Sequence, residues 1–140
     1  MDAIAQVVKD IIDLKYEASN LQHDATMENM YEWYSWALFH GIVEVTYRYG
    51  ELQGFIEWIR LKEVPETRDE AVESVDFDTT GPILYIANCC VRDDGKRHGV
   101  MWKLIHMVRE KNPDAEIFCW HEDADNLKVY ENTKSEGVRV

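Results

Sequence analysis

The stretch Val91-Arg92-Asp93-Asp94-Gly95-Lys96-Arg97-His98-Gly99-Val100-Met101-Trp102-Lys103-Leu104 decides how the rest of the chain is read. It follows the nearly continuous apolar run Ile83–Val91, the pattern of a strand covered on both faces. It opens a helix over 99–111 that carries Met101, Leu104, Ile105 and Val108 on one stripe and is stopped by Asn112-Pro113. A strand, a short polar loop and a helix N-terminus bring loop amides and the positive end of the helix dipole to one point, where an anionic group can sit. Lys96, Arg97 and His98 add cationic or polarisable side chains there. A phosphorylated cofactor gives that cluster a reason, whereas a charged turn ahead of an ordinary helix is the plainer alternative.

Working outward, residues 3–18 read as an amphipathic helix with Ile4, Val7, Val8, Ile11, Ile12 and Leu14 on its apolar side. A second helix over Met27–Phe39 is rich in aromatics (Tyr31, Trp33, Tyr34, Trp36 and Phe39) and ends at Gly41. The period then changes to that of a hairpin: Ile42 to Tyr49, a tight turn at Gly50-Glu51, and a return strand through Phe55, Ile56, Trp58, Ile59 and Leu61. Residues 63–81 hold seven acidic side chains and few large apolar ones, the composition of a long exposed loop with a helical turn near Glu70. After the helix over 99–111 come a buried strand at 115–121, a short helix at 125–133 and a strand fragment at 137–140. The fold class expected from this order is α+β, a central mixed sheet flanked by helices, in a single domain over residues 1–140.

Composition narrows the function. The chain has 140 residues, 46% hydrophobic and 30% charged, with a formal net charge of -12. That balance suits a soluble globular domain, and no run approaches the ~20 apolar residues of a membrane span. Such acidity argues against nucleic acid, whose binders present a basic face; it either draws in a cationic small molecule or a basic peptide or simply keeps the protein soluble. The three cysteines, Cys89, Cys90 and Cys119, lie in apolar strand-like segments, as reduced core residues of a cytoplasmic protein would. There is no CxxC, and Cys119 with His121 makes a poor zinc pair, so no metal is expected.

The element order and the quoted stretch resemble the GNAT superfamily of N-acetyltransferases. The family's acetyl-CoA segment runs roughly Val-x-Pro-x-Tyr-Arg/Gln-x-x-Gly-x-Gly/Ala-x-x-Leu. Val91 stands at its strand end, Lys96 replaces Arg/Gln, Gly99 is the middle glycine, Val100 the following aliphatic and Leu104 the core leucine, with no gap. The resemblance implies a fold in which the strand ending at Val91 splays from its neighbour. Its residues from Ile86 on, including Cys89, Cys90 and Val91, would pair with the pantetheine arm. The amides of Arg97, His98, Gly99, Val100 and Met101 would hold the pyrophosphate. Downstream, Asp123, Asn126 and Tyr130 fall where family members carry Asn, Ala and Tyr on a helix, which implies that Tyr130 protonates the departing CoA thiolate and that Asn126 lies near the cofactor.

Two departures stand out. Met101 occupies a position usually held by Gly or Ala, where a larger side chain would hold the helix away from the sheet. The chain also carries only Val138 to Val140 where the family has two further strands.

The implied reaction is transfer of an acetyl group from acetyl-CoA to a primary amine in a ternary complex. A base must then deprotonate the acceptor. Glu57 can point toward the site from a sheet position or lie on the solvent face of an edge strand; Asn88 can orient a water or the acceptor. His98, His106 and His121 can each be proposed, although a single histidine is usually structural. Cys89 and Cys90 lack the His-Asp set of a nucleophilic thiol. The aromatic helix reads as core with one or two rings left to line a pocket. The alternative is a GNAT-like module that no longer acetylates and acts as a binding or inhibitory protein through its acidic surface, with the open end of the sheet inviting a homodimer.

Overall fold

The computed structural model describes residues 3–19, 27–73, 81–92, 99–122 and 126–132. Its elements are α1 (Ala3–Ser19), α2 (Met27–Phe39), β1 (Val43–Arg48), β2 (Glu51–Leu61), α3 (Arg68–Glu73), β3 (Ile83–Val91), α4 (Val100–Lys111), β4 (Ile117–His121) and β5 (Leu127–Glu131). The strands hydrogen-bond in the order β1-β2-β3-β4-β5. β1 and β2 are antiparallel, β3 and β4 parallel, and β4 and β5 antiparallel, so the sheet is mixed. The parallel pair β3–β4 is joined through the helix α4, the kind of crossover that a parallel connection requires. None of the described helices is long and apolar enough to cross a membrane.

By its contacts the chain divides into two compact units, residues 1–57 with 88–106, and 58–87 with 107–140. In the first, α1 contributes Val8, Ile11, Ile12 and Leu14, and α2 contributes Met30, Tyr34 and Ala37. They form one buried cluster with Val43, Leu52 and Phe55 of the hairpin. The helical period read from residues 3–18 is thus the period of contact, although Ile4 is left exposed. The hairpin turns at Tyr49–Gly50, both with positive φ, one residue earlier than expected. Its register slips between Thr46 and Tyr47, opposite Gln53. Arg92 then ties the end of β3 down: its amide donates to Gln53 O (2.9 Å), its Nε to Leu52 O (2.6 Å) and its Nη1 to Glu17 Oε2 (2.6 Å).

In the second unit Ile59, Leu61, Ala71, Ile83, Tyr85 and Cys119 make a smaller core. α3 lies within the acidic stretch expected to be a loop with one helical turn, and Ala71 is the residue that seats it. Asn112 ends α4 by donating its side-chain amide to Val108 O (2.8 Å). Residues 127–131 correct the expectation of a helix over 125–133. They form β5, paired with β4 from Leu127↔His121 to Glu131↔Ile117. The physical reason is cross-strand packing: Tyr130 stacks on Phe118 (ring centroids 5.1 Å) and Trp120 (5.0 Å), an apolar gain that a short helix of Leu-Lys-Val-Tyr-Glu would forgo. The strand fragment expected at 137–140 lies outside the described residues.

Candidate active site

A glutamate in the middle of an apolar strand has to find hydrogen-bond donors, because an unpaired buried carboxylate is costly. Glu57 on β2 is 5% exposed and meets them from two other elements. α2 presents Trp33 and Tyr34 side by side: Trp33 Nε1 donates to Oε2 at 2.5 Å, and the Tyr34 hydroxyl donates to Oε1 at 3.4 Å. From β3, the Asn88 side chain adds hydrogen bonding to both Glu57 and Tyr34. The Asn88 Oδ1 faces the Cys90 thiol at 4.0 Å, which leaves its nitrogen for the carboxylate. Lys15 of α1 donates from Nζ to the Tyr34 oxygen at 3.1 Å. Burial raises the Glu57 carboxyl above the usual carboxylate range, while the Trp33 indole, the Lys15 charge, Asn88 and Tyr34 pull it back. Tyr34 is itself held protonated, by burial first and then by the charge of Glu57. Burial and the surrounding donors thus act on the Glu57 carboxyl in opposite directions. Glu57 therefore does not lie on a solvent face.

A second group of features surrounds β3 and the start of α4. Among the described residues the parallel ladder of β3 on β4 covers only Ile83–Tyr85 against Ile117–Cys119, although β3 runs on to Val91. Arg68 of α3 donates to Ala87 O (3.3 Å), just past the point where that ladder stops. At the other end of the loop, Gly99 has φ +67° and open space where a side chain would stand. It leads directly into α4, whose first amides have no helical carbonyl to pair with. A glycine there keeps the approach to those amides clear and accepts a conformation other residues resist. Gly54 does the matching work on the sheet: a Cβ there would lie 3.0–3.1 Å from Cys90 O and from the Leu104 and Val100 side chains. α4 thus sits hard against β2 despite the half-buried Met101, because the room comes from position 54.

No protein-family model and no curated protein matches the sequence. Solved structures do match. GphF, a GNAT-like decarboxylase in complex with isobutyryl-CoA, superposes with a TM-score of 0.66 at 14% identity, over 84% of this chain and 62% of that one. The loading GNATL domain of CurA from Lyngbya majuscula gives 0.63 at 13%, over 86% and 62%. An N-acetyltransferase from Staphylococcus aureus Mu50 gives 0.61 at 12%, over 90% and 73%. The chain has the GNAT fold. At these identities the likeness is one of fold, and the chain spans less than two thirds of the first two proteins.

On that GNAT framework the sequence-derived candidates fall into separate groups. Glu57 and Asn88 come together in the first unit. Cys90 is half-buried and packs against the first unit's core, and Val91 is buried. Burial, then the neighbouring Cys90, pushes the Cys89 thiol up to about 12, which removes it as a nucleophile at neutral pH. Gly99, Val100 and Met101 stand at the start of α4; Lys96, Arg97 and His98, like Asp123, lie outside the described residues. Tyr130 is in the second unit, on β5, so the described residues 127–131 form a strand where the resemblance of Asp123, Asn126 and Tyr130 calls for a helix. Asn126 closes the β4–β5 turn, its carbonyl accepting from Glu122 N (2.9 Å) and its side chain donating to Glu122 Oε2 (3.2 Å). His121, expected to be solitary, bridges Tyr85 OH (2.8 Å) and Glu66 O (3.0 Å).

Trp33, Tyr34 and Lys15 were not among the candidates. The signal was available in part: a charge on an apolar strand implies donors, and Trp and Tyr on a helix are apolar bodies with polar tips. Which of the aromatics turned its tip to Glu57 was a matter of packing.

Proposed function

We propose that this chain is an acyl-CoA-dependent N-acetyltransferase that passes an acetyl group from acetyl-CoA directly to a primary amine. The observation that carries the reading is Glu57, a buried carboxyl in a cage of donors on a fold shared with acyl-CoA-handling proteins. The likeness to a protein in complex with isobutyryl-CoA supports a CoA thioester as the donor class. The strand β3 beyond Tyr85 and the amides from Gly99 to Met101, with Lys96 and Arg97, would hold it.

The acceptor arrives as an ammonium, which has no lone pair. Glu57 takes one proton: an N–H bond breaks, a carboxyl O–H forms, and the freed nitrogen pair attacks the thioester carbonyl. A carboxylate offers about four lone-pair positions, and Trp33, Tyr34 and Asn88 use three, so one remains for a substrate N–H or a bridging water. The attacking nitrogen, cationic after it bonds to carbon, gives up its second proton as the C–S bond breaks, and the departing thiolate takes up one proton. The products are the amide and the CoA thiol, and Glu57 returns its proton to water. The net charge of -12 supports a cationic acceptor, a polyamine-like amine or a basic peptide.

Calorimetry with acetyl-CoA, beside a Lys96→Ala/Arg97→Ala variant, tests the reading. Micromolar binding that the variant loses supports it. No binding at millimolar acetyl-CoA would overturn it in favour of a GNAT-like binding module.

A further inference from the structure

Glu57 does not stand alone against solvent. It is the inner end of a three-residue chain that reaches from β2 through α2 to α1. Lys15 Nζ donates to the Tyr34 oxygen at 3.1 Å, and the Tyr34 hydroxyl, having a single proton, spends it on Glu57 Oε1 at 3.4 Å. The ammonium also lies over the Tyr34 ring, 5.5 Å from its centroid. Tyr34 is held in place independently of this chain: it is 1% exposed and meets Phe55 edge-on at 5.7 Å. The hydroxyl therefore has one orientation that satisfies both neighbours, accepting from Lys15 and donating to Glu57.

We propose that Lys15 is a positioning residue for Glu57: its ammonium, acting through the Tyr34 hydroxyl, keeps the buried carboxyl in the ionised form able to accept a proton. This rests on the reading of Glu57 as the base. Lys15 reaches Glu57 through the Tyr34 hydroxyl. Its positive charge opposes the loss of solvent around Glu57, and the polarised phenol carries that charge inward as a hydrogen bond. Among the described residues the groups facing Glu57 are few. They are Lys15 from α1, Trp33 and Tyr34 from α2, Asn88 from β3 and the apolar Val43 opposite on β1, with Cys90 acting on Tyr34. Lys15 is the one cation among them. Trp33 and Asn88 are neutral donors, which stabilise the carboxylate locally but add no net charge.

The test is a carbon-13 NMR titration of the whole chain labelled at the glutamate carboxyl carbon, with the Glu57 signal identified by its loss in Glu57→Gln. Lys15→Met is expected to move the Glu57 midpoint up by about one pH unit, the lower end of the range for losing a nearby opposite charge, and Lys15→Arg to return it. Lys9→Met, which removes a charge from an exposed position of the same helix, should leave it in place. Tyr34→Phe keeps the ring against Phe55, removes only the hydroxyl, and should also raise the midpoint. An unchanged midpoint in either Lys15→Met or Tyr34→Phe overturns the proposal, as does an equal shift in Lys9→Met. A shifted midpoint in a chain that fails to bind acetyl-CoA would leave the coupling standing and remove the acyltransferase reading instead.

Discussion

Glu57 is a carboxyl group that folding takes out of water, and its proton inventory changes as a result. Unfolded, it titrates near pH ~4.3; folded, burial holds it higher. Below about pH 4.3 both states keep the proton and the group contributes nothing to the pH dependence. As pH rises past that point the unfolded chain releases its proton first, so Glu57 lowers stability progressively until the native carboxyl has ionised too. Glu57→Gln removes that loss while keeping an acceptor for Trp33. Its melting temperature should gain on the wild type as pH is raised from about 4 to 8, while turnover falls ~10²–10⁴-fold; parallel melting profiles would count against the buried carboxyl. Cys89 gives an opposite kind of forecast. With its thiol pushed up to about 12, alkylation by iodoacetamide at pH ~8 should run at least about a hundredfold slower in the folded chain than in urea. Rapid native labelling would reopen a covalent role.

At the level of elements, two junctions bear the weight. Gly81 enters β3 beside the end of β2, where a Cβ would stand 2.2 Å from Leu61 O and 2.5 Å from its carbonyl carbon. Both are backbone atoms that cannot swing away, and Gly81 O also accepts from Arg60 Nε at 2.7 Å. Gly81→Ala should therefore cost about 2–3 kcal/mol in urea unfolding; a loss below 0.5 kcal/mol, on the order of an ordinary surface change, would mean the strands are not so close. The other junction is the β4–β5 pair. Phe118 is fully buried there beneath the Arg109 guanidinium, 4.6 Å from its ring, and stacks on Tyr130. Tyr130→Phe preserves that stack and removes only the phenol proton. If the phenol protonates the thiolate, kcat falls with acetyl-CoA affinity unchanged; an unaltered kcat assigns Tyr130 to packing alone.

For the molecule as a whole the relevant quantity is its charge. A net charge of -12 on 140 residues sets up a field that concentrates cations near the surface. Salt shortens its reach to about 3 Å at 1 M, so for a polyamine acceptor KM should rise several-fold between about 0.05 and 0.5 M salt. A neutral acceptor of similar size should show no such rise. Equal salt responses would mean the acidity serves solubility and does not select the acceptor.

Most of the elements could be read from local pattern: α1 and α4 carry apolar stripes at the helical period, α2 is a helix-length aromatic run, and β3 is a continuous apolar run of strand length. Gly41 and Asn112-Pro113 mark two ends by turn and stop chemistry that acts within a few residues. The likeness of Val91 to Leu104 to an acetyl-CoA segment was equally local, a matter of spacing along one loop. β5 was not legible, because Leu127–Glu131 is too short to have a conformation of its own and takes the one that Phe118 and Trp120 stabilise. Nor was the setting of Glu57. Alternation along β2 says which residues share a face, but not whether a helix covers that face or which donors it brings. Lys15 and Tyr34 are far from Glu57 in sequence, and only the packing of α1 and α2 on the hairpin brings their polar ends to one carboxylate.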